Sequence, residues 1–149
     1  MKLRELMTAA VITAGRDELV SAVAETMRDR GVGSVVVTDS GGEPVGIVTD
    51  RDLAVRVLAE RADPDATTVG SCASAPLVVG EPDMELEEAA ALMVRHRVRR
   101  LPVAERGRLS GIVTLDDIAV RTGNLEVAQR MTAEVIEGAL PDFFFHERG

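Results

Sequence analysis

The sequence predicts an α+β fold: two tandem β-α-β-β-α repeats packed around a pseudo-twofold axis, followed by a C-terminal helix. Three observations predict it. The phrase GIVTDRDLAVR, starting at Gly46, returns as GIVTLDDIAVR from Gly111 with eight of eleven letters identical. Upstream, an offset of 66 residues places Asp17 on Asp83, Val20 on Leu86, Val23 on Ala89, Ala24 on Ala90, Met27 on Met93, Val32 on Val98 and Val37 on Val103. Between these blocks the offset falls to 65, because TDSGGEPV is one residue longer than AERGRLS. A single-residue difference of this kind belongs in a hairpin turn, where it disturbs no packing. Two copies of a unit this long are too few for a solenoid.

The first repeat is expected over 3–62, the second over 69–122 and a helical tail over 123–149, with both repeats forming one globular module. Each repeat opens on a short apolar run, AAVIT at 9–13 and APLVV at 75–79. Val20, Val23, Ala24 and Met27 then keep the spacing of one helical face, as do Leu86, Ala89, Ala90 and Met93. Asp17 and Asp83 are N-cap residue types ahead of these helices, and Gly31 is suited to end the first. SVVVT, the turn DSGGEP and VGIVT read as a hairpin, as do RLPVA, ERGR and LSGIVT. A second helix is expected from about Asp50 to Ala62 and from about Leu115. Pro64 and the polar run ADPDATT mark the link between the repeats. Each half alone is small for an independent core, so face-to-face packing around a shared core is expected.

Composition narrows the function. Hydrophobic residues make up 46% of the chain, ordinary for a folded domain, and the net charge is −8. That balance argues against general affinity for nucleic acid or anionic lipid, which require a basic face. The chain has no Trp or Tyr, and its three Phe are confined to 143–145, so base-stacking platforms are missing. Cys72 is the only cysteine and can form no intramolecular disulfide, which points to a reducing, cytoplasmic compartment. The apolar stretch Leu6–Ala14 is short, broken by Thr8 and Thr13, and preceded by Arg4 and Glu5, so it reads as mature structure and not as a secretion signal. No stretch approaches a membrane span in length.

Catalysis is disfavoured. Lys2 is the only lysine, so no GxxxxGK phosphate loop exists. No G-x-S-x-G elbow is present. His96 and His146 are the only histidines and fit no zinc-ligand spacing. Asp116 and Asp117 are helix neighbours that do not face each other, which makes a poor catalytic pair.

The repeated Thr-x-x-Asp stands where a strand meets a helix, amid free N–H groups and the positive helix end. Two chemistries are open there. Thr49 and Thr114 are acceptable N-caps, with Asp52 and Asp117 favoured in a first turn. Alternatively, a carboxylate accepts two hydrogen bonds from ribose hydroxyls, and a Thr hydroxyl beside helix N–H groups meets a phosphate. VGSVVVTDSGGEPVGIVTDRDL and VRRLPVAERGRLSGIVTLDDI resemble the two halves of a CBS-domain pair, the family named after cystathionine beta-synthase. The resemblance covers about residues 3–122. Its most specific element is Gly-hydrophobic-x-Thr/Ser-x-x-Asp, complete in both copies. Leu6–Thr8 matches the family's opening, which becomes Cys72–Ser74 in the second copy.

The resemblance implies a regulatory module with two clefts for adenosine-containing ligands such as AMP, ADP, ATP or S-adenosylmethionine, and no other cofactor. It places Asp52 and Asp117 on ribose hydroxyls with Thr49 and Thr114 beside them. Because the family builds its sites across the halves, Thr8 joins the Asp117 site and Ser74 the Asp52 site. A phosphate-contacting pair in kinase-type members matches Arg99 and Arg100 here, whereas the first copy has Gly33 and Ser34 at those positions. RHRVRR at 95–100 is also the densest positive run in the chain. The resulting expectation is that only the Asp117 cleft carries the arginines, so a phosphorylated ligand binds there first. Stand-alone pairs of this family, bacterial stress and hypoxia proteins among them, act in trans on a target the sequence does not name. A homodimer is expected because LAVRVLAE and EEAAALMV are apolar on more than one side. The alternative is a ligand-free dimerisation or protein-interaction module. In the tail, Leu125, Ala128, Met131 or Thr132, Val135, Ile136 and Ala139 keep helical spacing up to Pro141, and the three Phe that follow are expected to dock on the module or its dimer mate, the alternative being a partner-binding peptide.

Overall fold

The computed structural model describes residues 1–74 and 78–123, with positions 126, 129, 130 and 133. A short helix α1 (Leu3–Leu6) leads into β1 (Thr13–Gly15), α2 (Val20–Arg30), β2 (Ser34–Thr38), β3 (Pro44–Thr49) and α3 (Asp50–Leu53). A π-turn over Ala54–Leu58 continues α3, and a 3₁₀ turn at Val69–Ser71 leads into the second half. There α4 (Leu86–His96), β4 (Arg100–Glu105), β5 (Arg108–Thr114) and α5 (Leu115–Thr122) follow in the same order. The predicted α+β repeat is therefore present twice. Of the expected tail helix, positions 126, 129, 130 and 133 are helical, and Arg130 pairs with Glu126 one turn away at 3.6 Å. The remaining tail expectations, including Phe143–Phe145, lie outside the described residues.

In the first half β1 runs parallel to β2, and β2 antiparallel to β3. In the second half β4 and β5 pair with each other, and among the described residues the lead-in makes one parallel bridge, between Gly80 and Val103, while residues 75–77 of the expected strand lie outside them. Beside Val78 a donor is missing. Val36 N–H donates to Ile12 O at 3.2 Å, whereas the equivalent position is Pro102, which has no N–H to offer Val78. The one-residue offset falls in the hairpin turns as expected. Asp39 Oδ1 accepts from Gly41 N–H (2.9 Å) and Glu43 N–H (3.0 Å) in the longer turn. Arg106 and Gly107, at φ 53° and 76°, make the two-residue turn of the shorter one.

Helix ends show one confirmation and one correction. Gly31 ends α2 at φ 64°, as its type suggested, and Arg97 takes the same left-handed position after α4. Asp17 and Asp83 are not the N-caps. Leu19 and Glu85 hold those positions without side-chain caps. Backbone from elsewhere satisfies the helix N–H groups instead: Val20 N–H donates to Thr67 O and Leu86 N–H to Met1 O, both at 2.9 Å. Asp83 is engaged by Arg4, whose Nη2 donates to Asp83 Oδ1 at 2.7 Å. That hydrogen bond, and then the guanidinium charge, hold the Asp83 carboxyl below its ordinary range.

The buried residues form two clusters and not the one shared core expected. Val20, Val23, Val35, Val37 and Val48 of the first half enclose Val69 and Cys72, from the opening segment of the second half. Ala89, Met93, Leu101, Val103, Val113 and Ile118 of the second half enclose Leu3, from the opening segment of the first. Each lead-in thus completes the core of the other repeat, so neither repeat is a finished unit alone.

Candidate functional site

Both Thr-x-x-Asp motifs sit where the second strand of a hairpin turns into a helix. Asp52 N–H donates to Thr49 Oγ1 (3.1 Å), and Thr49 N–H donates to Asp52 Oδ2 (2.8 Å). Asp117 and Thr114 repeat the arrangement at 3.1 and 2.9 Å. These are reciprocal capping boxes, so the capping chemistry open from the sequence is realised in both copies. Each box engages one carboxylate oxygen. The second oxygen of Asp52 lies 4.0 Å from Arg56 Nε, and Asp117 accepts no further hydrogen bond among the described residues.

Other letters of the repeated phrase serve the crossing of the halves, which sequence reasoning missed. The Ser74 N–H donates to Ile47 O at 2.9 Å, and Thr8 exchanges two backbone hydrogen bonds with Ile112 at 2.9 and 3.0 Å. Such close approach requires glycine next door. A Cβ on Gly46 would stand 2.9 Å from Ala73 Cβ, and one on Gly111 would stand 2.6 Å from Met7 Sδ and 3.0 Å from Thr8 O. The closing arginines clamp the same segments. Arg56 Nη1 donates to Cys72 O at 2.9 Å, and Arg121 Nη1 to Leu6 O at 2.6 Å. The signal was present, since both glycines and both arginines are among the identical letters.

Two cavities flank this crossing. One, of about 180 Å³, is lined by Val11 and Ile12 of the first lead-in, Val32, Ser34 and Val36, and across the interface Ile112, Thr114 and Arg100. The other, of about 190 Å³, is lined by Val78, Val98, Arg99 and Arg100 together with Ile47, Thr49 and Ser74. The repeat offset exchanges them: Ile12 with Val78, Val32 with Val98, Ser34 with Arg100, Ile112 with Ile47, and Thr114 with Thr49. Both are apolar slots with hydroxyls at the strand-to-helix junction. Each is below the range of about 300–1,000 Å³ that encloses a drug-sized ligand. A third cavity of about 200 Å³, lined by Arg99, Arg100, Thr114, Leu115 and Asp116, adjoins them.

The predicted site residues are partly brought together. Thr49 and Ser74 share one cavity; Ser34 and Thr114 share the other. Thr8 lies on the backbone beside Ile112 without lining the second cavity, and neither Asp52 nor Asp117 lines either. Gly33 packs close to Asp50, whose Oδ2 would meet an added Cβ at 3.2 Å. One expectation is corrected. Arg99 and Arg100 are not confined to the Asp117 side, because they line the Thr49 cavity as the counterparts of Gly33 and Ser34. The β4–β5 register also sets Arg100 opposite Thr114, which brings it to both sides. Among the described residues no cluster of three or more His, Cys, Asp or Glu side chains is arranged for a metal ion, and no helix is long and apolar enough to cross a membrane.

Two halves that share an α-β-β-α order, with exchanged lead-ins and paired clefts, define a tandem-repeat module of pseudo-twofold symmetry. The chain belongs to the CBS-domain family: the CBS domain profile matches residues 3–59 and 69–121. It is 37% identical over 126 residues to CBS domain-containing protein YhcV of Bacillus subtilis, covering 85% of this chain and 89% of that protein. It is 34% identical over 116 residues to hypoxic response protein 1 of Mycobacterium tuberculosis, covering 78% and 81%. A Methanopyrus kandleri protein is 41% identical over 115 residues, covering 76% of this chain; the match spans 59% of that longer relative. Among solved structures, hypoxic response protein I with two coordinated zinc ions matches at TM-score 0.75 and 33% identity, over 81% of this chain and 98% of that one. The hexameric CBS-CP12 protein of bloom-forming cyanobacteria matches at TM-score 0.72 and 29% identity, over 85% and 73%. Tandem CBS domains are typically regulatory ligand-binding modules, and stand-alone CBS-domain proteins are generally not enzymes.

Proposed function

We propose that this chain is a cytoplasmic sensor that binds an adenosine-containing ligand in its two clefts, dimerises, and regulates a target protein in trans without catalysis of its own. The observation that carries the reading is the pair of cavities related by the repeat offset, each an apolar slot with a Thr and an Arg among its lining residues. The slot suits the adenine ring. The capping boxes leave the second oxygens of Asp52 and Asp117 to accept ribose hydroxyls, and Arg99 and Arg100 supply cations for phosphate. Ser74 lines the Thr49 cavity, and Thr8 is hydrogen-bonded through its backbone to Ile112, which lines the other. The name of one relative, hypoxic response protein 1, supports a role in stress.

The dimer rests on an apolar remnant. Val55 and Val120 are the same letter of the repeated phrase, yet they are 48% and 81% exposed, and Leu58 is 77% exposed. Side chains that recur without entering a core suit a partner surface, here a second copy. Sedimentation at micromolar concentration should give twice 15.9 kDa; a species near the monomer mass alone refutes the dimer.

A second reading has one observation in its favour: capping by itself accounts for both Thr-x-x-Asp motifs, so the module also fits a ligand-free dimerisation or protein-interaction role. Thermal unfolding with AMP, ADP, ATP and S-adenosylmethionine separates the two. A ligand at 100 times its dissociation constant adds about 2.7 kcal/mol, or roughly 5–10 °C for a chain of this size. No shift with any of the four sinks the sensor reading and leaves the structural one.

A further inference from the structure

We infer that the two clefts compete for a single pair of arginines, so that each chain holds one phosphorylated ligand tightly while an uncharged nucleoside fills both clefts alike. This rests on the adenosine reading above and adds the regulation of that site. Arg100 lines the Thr49 cavity, the Thr114 cavity and the cavity between them, and Arg99 lines the first and the last of these. Neither guanidinium is paired with a protein group among the described residues, so both are available to an anion. The pseudo-twofold relation would supply the Thr114 cleft with cations of its own from the start of β2. Those positions are Gly33 and Ser34, which carry no charge. Nor do the arginines at the end of the repeated phrase help, since Arg56 and Arg121 are held on backbone carbonyls.

A first phosphate seated between Arg99 and Arg100 therefore takes the cations that the second cleft needs. A second phosphate would enter beside the first with like charge and no counter-ion, close to the Asp116 carboxylate. The apolar slots and their hydroxyls differ little between the clefts, so an uncharged ligand meets no such conflict.

Calorimetry on the full chain with adenosine and with AMP tests this. The expected result is two adenosines per chain with affinities within about threefold, and one tight AMP with the second at least tenfold weaker. A charge-assisted hydrogen bond is worth about 1.5–3 kcal/mol, roughly tenfold to a hundredfold, which sets that gap. The double substitution Arg99→Ala with Arg100→Ala should make the two AMP steps equal and weak, each no tighter than the adenosine step measured on the same variant. Ser34→Arg, which returns a cation to the Thr114 cleft, should raise tight AMP binding from one to two per chain. Two equal tight AMP sites in the natural protein, a gap that survives the double substitution, or a single adenosine per chain each overturn the competition and leave the adenosine reading standing. Absence of binding by both compounds overturns the two together.

Discussion

The two repeats differ least where they touch each other and most where they face the clefts. Gly46 and Gly111 both admit a crossing segment, Thr49–Asp52 and Thr114–Asp117 form the same capping box, and Arg56 and Arg121 hold the same kind of carbonyl. Away from that crossing the halves part. Val36 donates where Pro102 has no proton, α3 passes into a π-turn where α5 stays α-helical to Thr122, and Gly33–Ser34 stand opposite Arg99–Arg100. The difference teaches which letters of the repeat the exchanged lead-ins demand. Steric room for a passing segment and donors for its carbonyls are needed twice, once per crossing; the Arg99–Arg100 position lies outside both crossings and is free to differ between the halves.

The strongest way to break the equivalence is to close one crossing. Gly46→Ala and Gly111→Ala each overfill the approach and should destabilise by about 1–3 kcal/mol in denaturant unfolding. At Gly46 the obstacle is the short, fixed Ala73 Cβ at 2.9 Å; at Gly111 the Met7 side chain can turn away but the Thr8 carbonyl oxygen at 3.0 Å cannot, so neither variant escapes a loss. Equal, negligible losses would show that the lead-ins shift freely. Next come the clamps. Arg56→Ala and Arg121→Ala each remove a charged donor from a carbonyl at a swapped segment, at a cost of about 1.5–3 kcal/mol. Faster amide exchange at 72–74 in the first variant, and at 6–8 in the second, would localise the loss; exchange changes confined to the helix bearing the arginine would refute the clamp.

The smallest effect sharpens a difference between the lead-ins. Arg4 pairs with Asp83, while the position equivalent to Arg4 is Gly70, which has no side chain to pair. Arg4 lowers the Asp83 carboxyl pKa, so the pair's contribution is present above the ordinary Asp value of about 3.9 and fades as pH falls through the lower folded-state value. Carbon-detected titration should find Asp83 below that ordinary value, and Arg4→Ala should return it. An unmoved midpoint in Arg4→Ala would assign the shift elsewhere.

Much of the local architecture was legible in the letters. The helical faces of Val20–Met27 and Leu86–Met93 follow a period near 3.6. The hairpins follow from β-branched runs around Gly-rich turns, and the left-handed stop after α2 follows from Gly31. These depend on neighbours within a few residues, and an amino-acid sequence states such neighbours directly. The Asp17 and Asp83 caps failed for the opposite reason. A side-chain cap is one of several ways to satisfy helix N–H groups, and Thr67 and Met1 carbonyls arrived from distant chain to do it. The offset likewise revealed that two halves exist without revealing which half each lead-in completes. Leu3 at the start of the first repeat and Val69 at the start of the second are apolar letters in equivalent places, and either assignment satisfies the pattern. Only the tertiary structure decided that they cross, that Gly46 and Gly111 open the way, and that Arg100 stands between both clefts. Those contacts join atoms scores of residues apart, and packing in three dimensions, not spacing along the chain, selects among them.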